Sequence, residues 1–187
     1  MVEIVPYQES WPAEFQVIAL RLRRALGELA LRIDHIGSTS VPGLPAKDVI
    51  DIQITVAALD DRVRSAMAAL GYTLREGMRD HRPPDAVGSE TEWDKWLFIP
   101  PPGQRRTHTH MRVQGRANQR YPLLFRDYLR AHSATAEAYA ELKRRLAQYL
   151  ADPRMYPEVK DPAVDLIYLA AEEWAAATNW QAGPSDA

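Results

Sequence analysis

The chain has 187 residues, 46% of them hydrophobic and 26% charged, with a formal net charge of −2 at pH 7. That balance is ordinary for a globular domain and gives no bulk attraction to nucleic acid or to an anionic membrane surface. The lack of cysteine excludes disulfides, thiolate metal sites, cysteine-ligated iron–sulfur clusters and cysteine nucleophiles.

Residues 1–6 read as a short strand or extended arm. A helix is predicted to start at Ser10, a suitable cap, with Pro12 in its first turn, and to run to about Leu29. Phe15, Ile18, Leu22, Ala25, Leu26 and Leu29 share one face of it at helical spacing. Residues 31–36 and 49–56 are apolar runs expected to be buried strands, with a tight turn at Gly37 to Ser40 between them. A helix over 62–70 starts at Asp60 or Asp61 and stops at Gly71, and residues 72–75 form a third strand. Residues 76–91 lack periodicity and carry Gly77, Pro83, Pro84 and Gly88, so they read as a mobile loop placed to act as a lid. Residues 93–99 and 107–113 are strands joined by Pro100, Pro101, Pro102 and Gly103, which predicts an antiparallel hairpin. Helices follow over 118–131, from 133 to about 151, and over 162–177. The pattern predicts an α+β fold, a mixed sheet with flanking helices, in one domain spanning 1–180. Its core covers about 5–115 and its helical C-terminal part about 118–177; a flexible tail is expected over 181–187. No apolar run approaches the roughly 20 residues that span a bilayer, and the start of the chain lacks a signal-peptide pattern. A cytoplasmic protein with no membrane partner is the expectation.

The segment from His35 to Ile54 concentrates the residues that carry chemistry. The small residues Gly37, Ser38, Thr39 and Ser40 allow a backbone to approach a phosphate and cradle it with N–H groups. Asp51 sits inside an apolar strand, where a charge needs a partner or a metal. A carboxylate there can hold the magnesium that accompanies a nucleotide. Lys47 can contact a phosphate as a point charge; a solvated surface lysine is the alternative. Strand alternation places Asp51 and Gln53 on one face. On residues 107–113, the same alternation gathers His108, His110 and Arg112. Two histidines at this spacing can bind a metal, or His110 can serve as general base for an acceptor hydroxyl, while Arg112 balances anionic charge. A solvent-exposed polar face is the alternative. His35 can join this cluster or cap its own strand. Arg126, Asp127 and Arg130 form either a helix-docking ion-pair face or a substrate contact. Lys143, with Glu141, Arg144 and Arg145, reads as a solvated helix face. No basic stripe with interleaved aromatics is present, so nucleic acid is not an expected partner.

The run from His35 to Leu44, then Ala46 and Lys47, then Ile50, Asp51 and Ile52, resembles the GrpB family, as do residues 124–132 and 139–147; the resemblance spans about 5–174. That family is grouped with the nucleotidyltransferase fold, which implies a mixed sheet with flanking helices. The nucleotidyltransferase pattern is Gly-Gly or Gly-Ser, a spacer, then Asp-apolar-Asp/Glu-apolar. Gly37 and Ser38 resemble its first element, and Asp51 to Ile54 its second. In the superfamily two such carboxylates hold two magnesium ions, and a third carboxylate comes from a later strand. Gln53 departs from the pattern by offering no charge at the second position. Glu90, Glu92 and Asp94 are candidates for the third. Family members commonly show His-Leu-His-Val near the histidine strand, which puts Arg112 in a histidine position and points to anion binding. Three readings stay open. One is magnesium-dependent nucleotidyl transfer from a nucleoside triphosphate to a small-molecule acceptor. Another is a non-catalytic module that binds a nucleotide or another phosphorylated small molecule. The third is a metal-dependent enzyme of another class, built on His108 and His110.

Overall fold

A computed structural model describes residues 2–86 and 88–187. Helix α1 (Trp11–Leu26) leads through a 3-10 turn into strand β1 (Arg32–Ile36). A second 3-10 turn, Ser38–Ser40, precedes β2 (Ile50–Val56). Then come α2 (Asp61–Ala69), β3 (Thr73–Arg75), β4 (Trp96–Ile99) and β5 (Thr107–Val113). Helices α3 (Ala117–Ala131), α4 (Ser133–Tyr149) and α5 (Tyr156–Thr178) close the chain. The strands form one sheet in the order β1-β2-β5-β4-β3. The pair β2 and β5 is parallel and the other pairs are antiparallel, including the expected β4–β5 hairpin. This is the expected α+β architecture.

Alternation along the strands divides the sheet into two chemically different faces. Ile33, Ile50, Ile52, Ile54, Val56, Phe98 and Met111 point to one side and pack against Trp11, Phe15, Ala19 and Leu22 of α1 and Val63 and Met67 of α2. Burial of this continuous apolar face is the main stabilising contribution, on the order of 1.5–3 kcal/mol per large side chain. Asp51, Gln53, His108, His110 and Arg112 point to the other side, toward the C-terminal helices. Parallel register sets Asp51 beside His108 and Gln53 beside His110.

Two expectations are corrected. The last helix begins at Tyr156, six residues before Pro162. Pro157 occupies its first turn, where a missing N–H costs nothing, and Pro162 is accommodated inside the helix, near its start. The tail does not fray. Ser185 Oγ accepts from Ile33 N at 2.8 Å, the Asp186 carboxylate accepts from His35 N at 2.9 Å, and Ala187 N donates to Ile33 O at 3.1 Å. β1 is an edge strand with free backbone groups, and the tail satisfies them. No helix among the described residues is long and apolar enough to cross a membrane.

Candidate functional site

A cleft of about 450 Å³ lies over the polar face of the sheet, between the Gly37–Ser38 turn, the loop around Asp80, and helices α3, α4 and α5. Asp51 is at its floor. Its carboxylate accepts from His108 Nδ1 at 3.2 Å and lies 3.7 Å from His110 Nε2. Burial pushes the Asp51 carboxyl upward, but the two histidines outweigh that and hold it well below the usual carboxylate range. His110 is pushed down to about 4, chiefly by burial, so it is a neutral imidazole at physiological pH. Asp51, His108 and His110 each offer one ligand atom, and the three atoms lie within 4.8 Å of one another.

Gly37 is needed for this geometry. Its φ is +69 and its ψ −173, a region open essentially to glycine alone. A Cβ at this position would fall 2.5 Å from Asp51 Oδ2. The glycine therefore makes room for the carboxylate as well as turning the chain. The rest of the turn is divided. Ser38 faces the cleft. Thr39 is buried and its hydroxyl contacts His35 Nε2 at 3.0 Å. Ser40 is buried, donates to Gly37 O at 2.6 Å, and accepts from Arg130 through its own carbonyl. The hydroxyls of Thr39 and Ser40 thus hold the turn in shape rather than facing a ligand.

Three further expectations change. His35 lies on the apolar face, stacked on Phe15 with ring centroids 4.7 Å apart, so it cannot join His108 and His110. Arg112 is 3% exposed and three of its five N–H donors are taken: Nε and Nη2 go to Asp80 at 2.7 and 2.8 Å, and Nη1 to Gln53 Oε1 at 2.8 Å. Asp80 neutralises its charge and, with Gln53, fixes its position at the edge of the cleft. None of Glu90, Glu92 and Asp94 supplies a third carboxylate. Glu90 and Asp94 each bind Arg79 at 2.9 Å, and Glu92 accepts from Ala117 N. The residues that β5 turns toward Asp51 are imidazoles, and Gln53 is committed to Arg112 and to Gln119 O. The donor set does not fit a pair of magnesium ions, which requires clustered oxygen ligands.

Besides Arg112, the cations lining the cleft are lysines. Lys47 lines it with Nζ 3.9 Å above the Tyr156 ring. Lys143, expected on a solvated face, is 3% exposed. Its Nζ donates to Ser38 Oγ at 2.9 Å and to Pro45 O. Burial first, then Lys160 and Arg144, push its pKa down to about 7. Lys160 of α5 is mostly buried, and its nearest carboxylate oxygen, on Asp161, is 3.9 Å away. Burial and mutual repulsion also lower Lys47, while Asp51 partly restores it. Among the described residues neither Lys47 nor Lys143 has a carboxylate at ion-pair distance. Lys143 was legible in one respect: it follows Tyr139 by four residues and so shares that residue's buried face. Asp80 was hidden in the aperiodic stretch after Gly77, and the structure places Asp80 and His81 in the cleft lining. Asp80 binds Arg112 and Lys95, and His81 contacts Asp165 of α5 at 2.8 Å. Arg126 docks α3 onto β1 and the tail through His35 O and Asp186, with Asp127 of its own helix as a further partner, and Arg130 ties α3 to the turn through Ser40 O.

Residues 1–169 match the family model described as GrpB protein. A dephospho-CoA kinase of Mycolicibacterium paratuberculosis is 40% identical over 197 aligned residues, covering 96% of this chain and 48% of that protein. The chain thus spans about half the length of such curated relatives. The crystal structure of conserved protein GrpB from Enterococcus faecalis superposes with a TM-score of 0.72 at 27% identity, covering 92% of this chain and 99% of that one. A structure of Cid1 with its short product ApU gives a TM-score of 0.50 at 11% identity, covering 76% of this chain and 43% of that one; this likeness is one of fold.

Proposed function

The chain belongs to the GrpB family and has a nucleotidyltransferase-like fold, and on that basis we propose that its cleft binds a nucleoside triphosphate or a closely similar polyphosphate ester. The observation that carries the proposal is the convergence of Lys47, Lys143 and Lys160 on one cleft in which Asp80 is taken by Lys95 and Arg112, Asp161 stands beside Lys160, and neither Lys47 nor Lys143 has a carboxylate at ion-pair distance among the described residues. Buried unpaired cations are costly, and a polyphosphate supplies the missing charge. Ser38 already accepts from Lys143, which leaves its own hydroxyl proton free for a phosphate oxygen. Tyr121, Phe125, Tyr139 and Tyr156 line the same cleft and offer an aromatic wall to a base.

Nucleotidyl transfer is a second reading, favoured by the ionised Asp51 beside the neutral His110. An acceptor oxygen would attack the α-phosphorus, its proton passing to His110 in the state where no ion holds that imidazole, and pyrophosphate would leave toward the lysines. A metal bound at Asp51 would add charge compensation for the phosphates.

Calorimetry with each nucleoside triphosphate and with inorganic tripolyphosphate tests the binding proposal. Micromolar or tighter binding is expected, weakened strongly by the double substitution Lys143→Met and Lys160→Met. Failure of every one of these ligands to bind the wild type would refute it. Release of pyrophosphate on addition of acceptor alcohols, abolished by Asp51→Asn, separates transfer from binding alone.

A further inference from the structure

We propose that Asp51, His108 and His110 bind a single divalent ion of the imidazole-preferring class, zinc above magnesium. The site lies in the cleft of the preceding proposal and defines the ion that would accompany its ligand.

The donors are brought together by the sheet. β2 and β5 are neighbours, and their parallel register places His108 directly beside Asp51 and His110 one pleat further along the same face. His108 Nδ1 and His110 Nε2 stand 3.2 and 3.7 Å from the same carboxylate oxygen. A tetrahedral ion with bonds of about 2.0–2.1 Å has ligand atoms about 3.3 Å apart, so these separations bracket the edge of such a site. All three donor atoms lie within 4.8 Å of one another, and binding an ion would draw the side chains together. Three protein ligands beside an open cleft also match the arrangement in which a metal keeps a position for water or substrate.

A second observation concerns His110 alone. Its Nδ1 is buried without a partner, and its Nε2 is beyond hydrogen-bond reach of Asp51. Among the described residues His110 makes no hydrogen bond through either ring nitrogen, and its Nε2 is the one beside Asp51. An ion would give Nε2 its partner and leave Nδ1 as the protonated nitrogen, the tautomer that a ligating Nε2 requires. The choice of ion follows from the donors. Magnesium demands six oxygen ligands in near-octahedral array. Here two of three ligands are imidazole nitrogens, and the nearest further side-chain oxygen on the strand, Gln53 Oε1, is held by Arg112. Imidazole favours zinc, iron, nickel and copper over magnesium.

The test uses the chelator-treated 187-residue chain without nucleotide. Calorimetry with zinc, manganese and magnesium chlorides should give one zinc per chain, bound at least about 100-fold more tightly than magnesium. His108→Ala and His110→Ala should each weaken zinc binding at least about tenfold, with far-UV circular dichroism confirming that they fold. X-ray absorption of the zinc-loaded wild type should show imidazole scattering from two histidines, and this readout stands even if a variant does not fold. Magnesium binding as tightly as zinc, zinc binding indifferent to both histidine substitutions, or absorption without imidazole scattering would each overturn the proposal. Zinc binding with no polyphosphate binding would overturn only the reading of the lysines, and the converse only this one.

Discussion

Replacing Lys143 by methionine should stabilise the protein while weakening its hold on polyphosphate. Lys143 is 3% exposed and its ammonium makes two hydrogen bonds, to Ser38 Oγ and Pro45 O. Its pKa falls from an ordinary 10.5 to about 7, through burial first and then through Lys160 and Arg144. A depressed folded-state pKa means that the unfolded chain takes up the proton below 10.5 and the folded chain only below about 7. The destabilisation is therefore absent above pH 10.5, grows as the pH falls, and is complete below about 7. The gap corresponds to at most about 5 kcal/mol at pH 6 and about 2 kcal/mol at pH 9. Loss of the two hydrogen bonds returns about 1–3 kcal/mol. The variant should thus be about 2–4 kcal/mol more stable than wild type at pH 6 and nearly equal to it at pH 9, read from urea denaturation at the two values. A charge-assisted contact is worth about 1.5–3 kcal/mol, so triphosphate affinity should fall about 10- to 150-fold in calorimetry. A wild type as stable as the variant at pH 6 would refute the burial argument. Unchanged affinity would refute the role of Lys143 in anion binding.

Three other outcomes are expected. Gly37→Ala should cost about 2–4 kcal/mol in urea unfolding, because it combines a glycine-only backbone with a Cβ 2.5 Å from Asp51 Oδ2; an unchanged midpoint would show that the turn relaxes freely. Asp80→Ala should lower stability by about 3–5 kcal/mol by leaving Arg112 and Lys95 buried without their carboxylate. The same variant should bind tripolyphosphate more tightly, since two cations of the cleft are released, and weaker binding would contradict that assignment. His35 is lowered by burial from 6.5 to about 4, so its contribution to stability is present above pH 6.5 and is lost as the pH falls toward 4. At pH 5 the loss is about 2 kcal/mol, and His35→Phe should flatten the stability profile between pH 4 and 6.5; a parallel profile would assign the slope to other groups.

Elements with strong local signals were legible in the sequence. Isoleucines alternating with polar residues over Ile50 to Ile54 specified both the strand and its two faces. Asp60, which caps α2 by accepting from Arg62 N and Val63 N, marked that helix start. The same alternation correctly grouped His108, His110 and Arg112. Their individual roles were not legible, because a strand pattern gives the face and not the neighbour. Arg112 is neutralised by Asp80, 32 residues earlier, and Lys143 meets Ser38 across 105 residues. The frayed tail was misjudged for the same reason, since its partner is the edge of β1.

By itself the sequence determined an α+β domain, a Gly-Ser turn followed by Asp51 on a strand, and the absence of a second carboxylate at Gln53. These are properties of local pattern and residue chemistry, which tertiary context does not alter. The fold alone decided which charges are free. Pairing β2 with β5 converted a lone aspartate into an Asp-His-His cluster, and packing α4 and α5 over it buried Lys143 and Lys160 where no carboxylate balances Lys143 and Asp161 stands 3.9 Å from Lys160. Electrostatic character depends on distance and burial, and both are set by contacts between segments far apart in the chain.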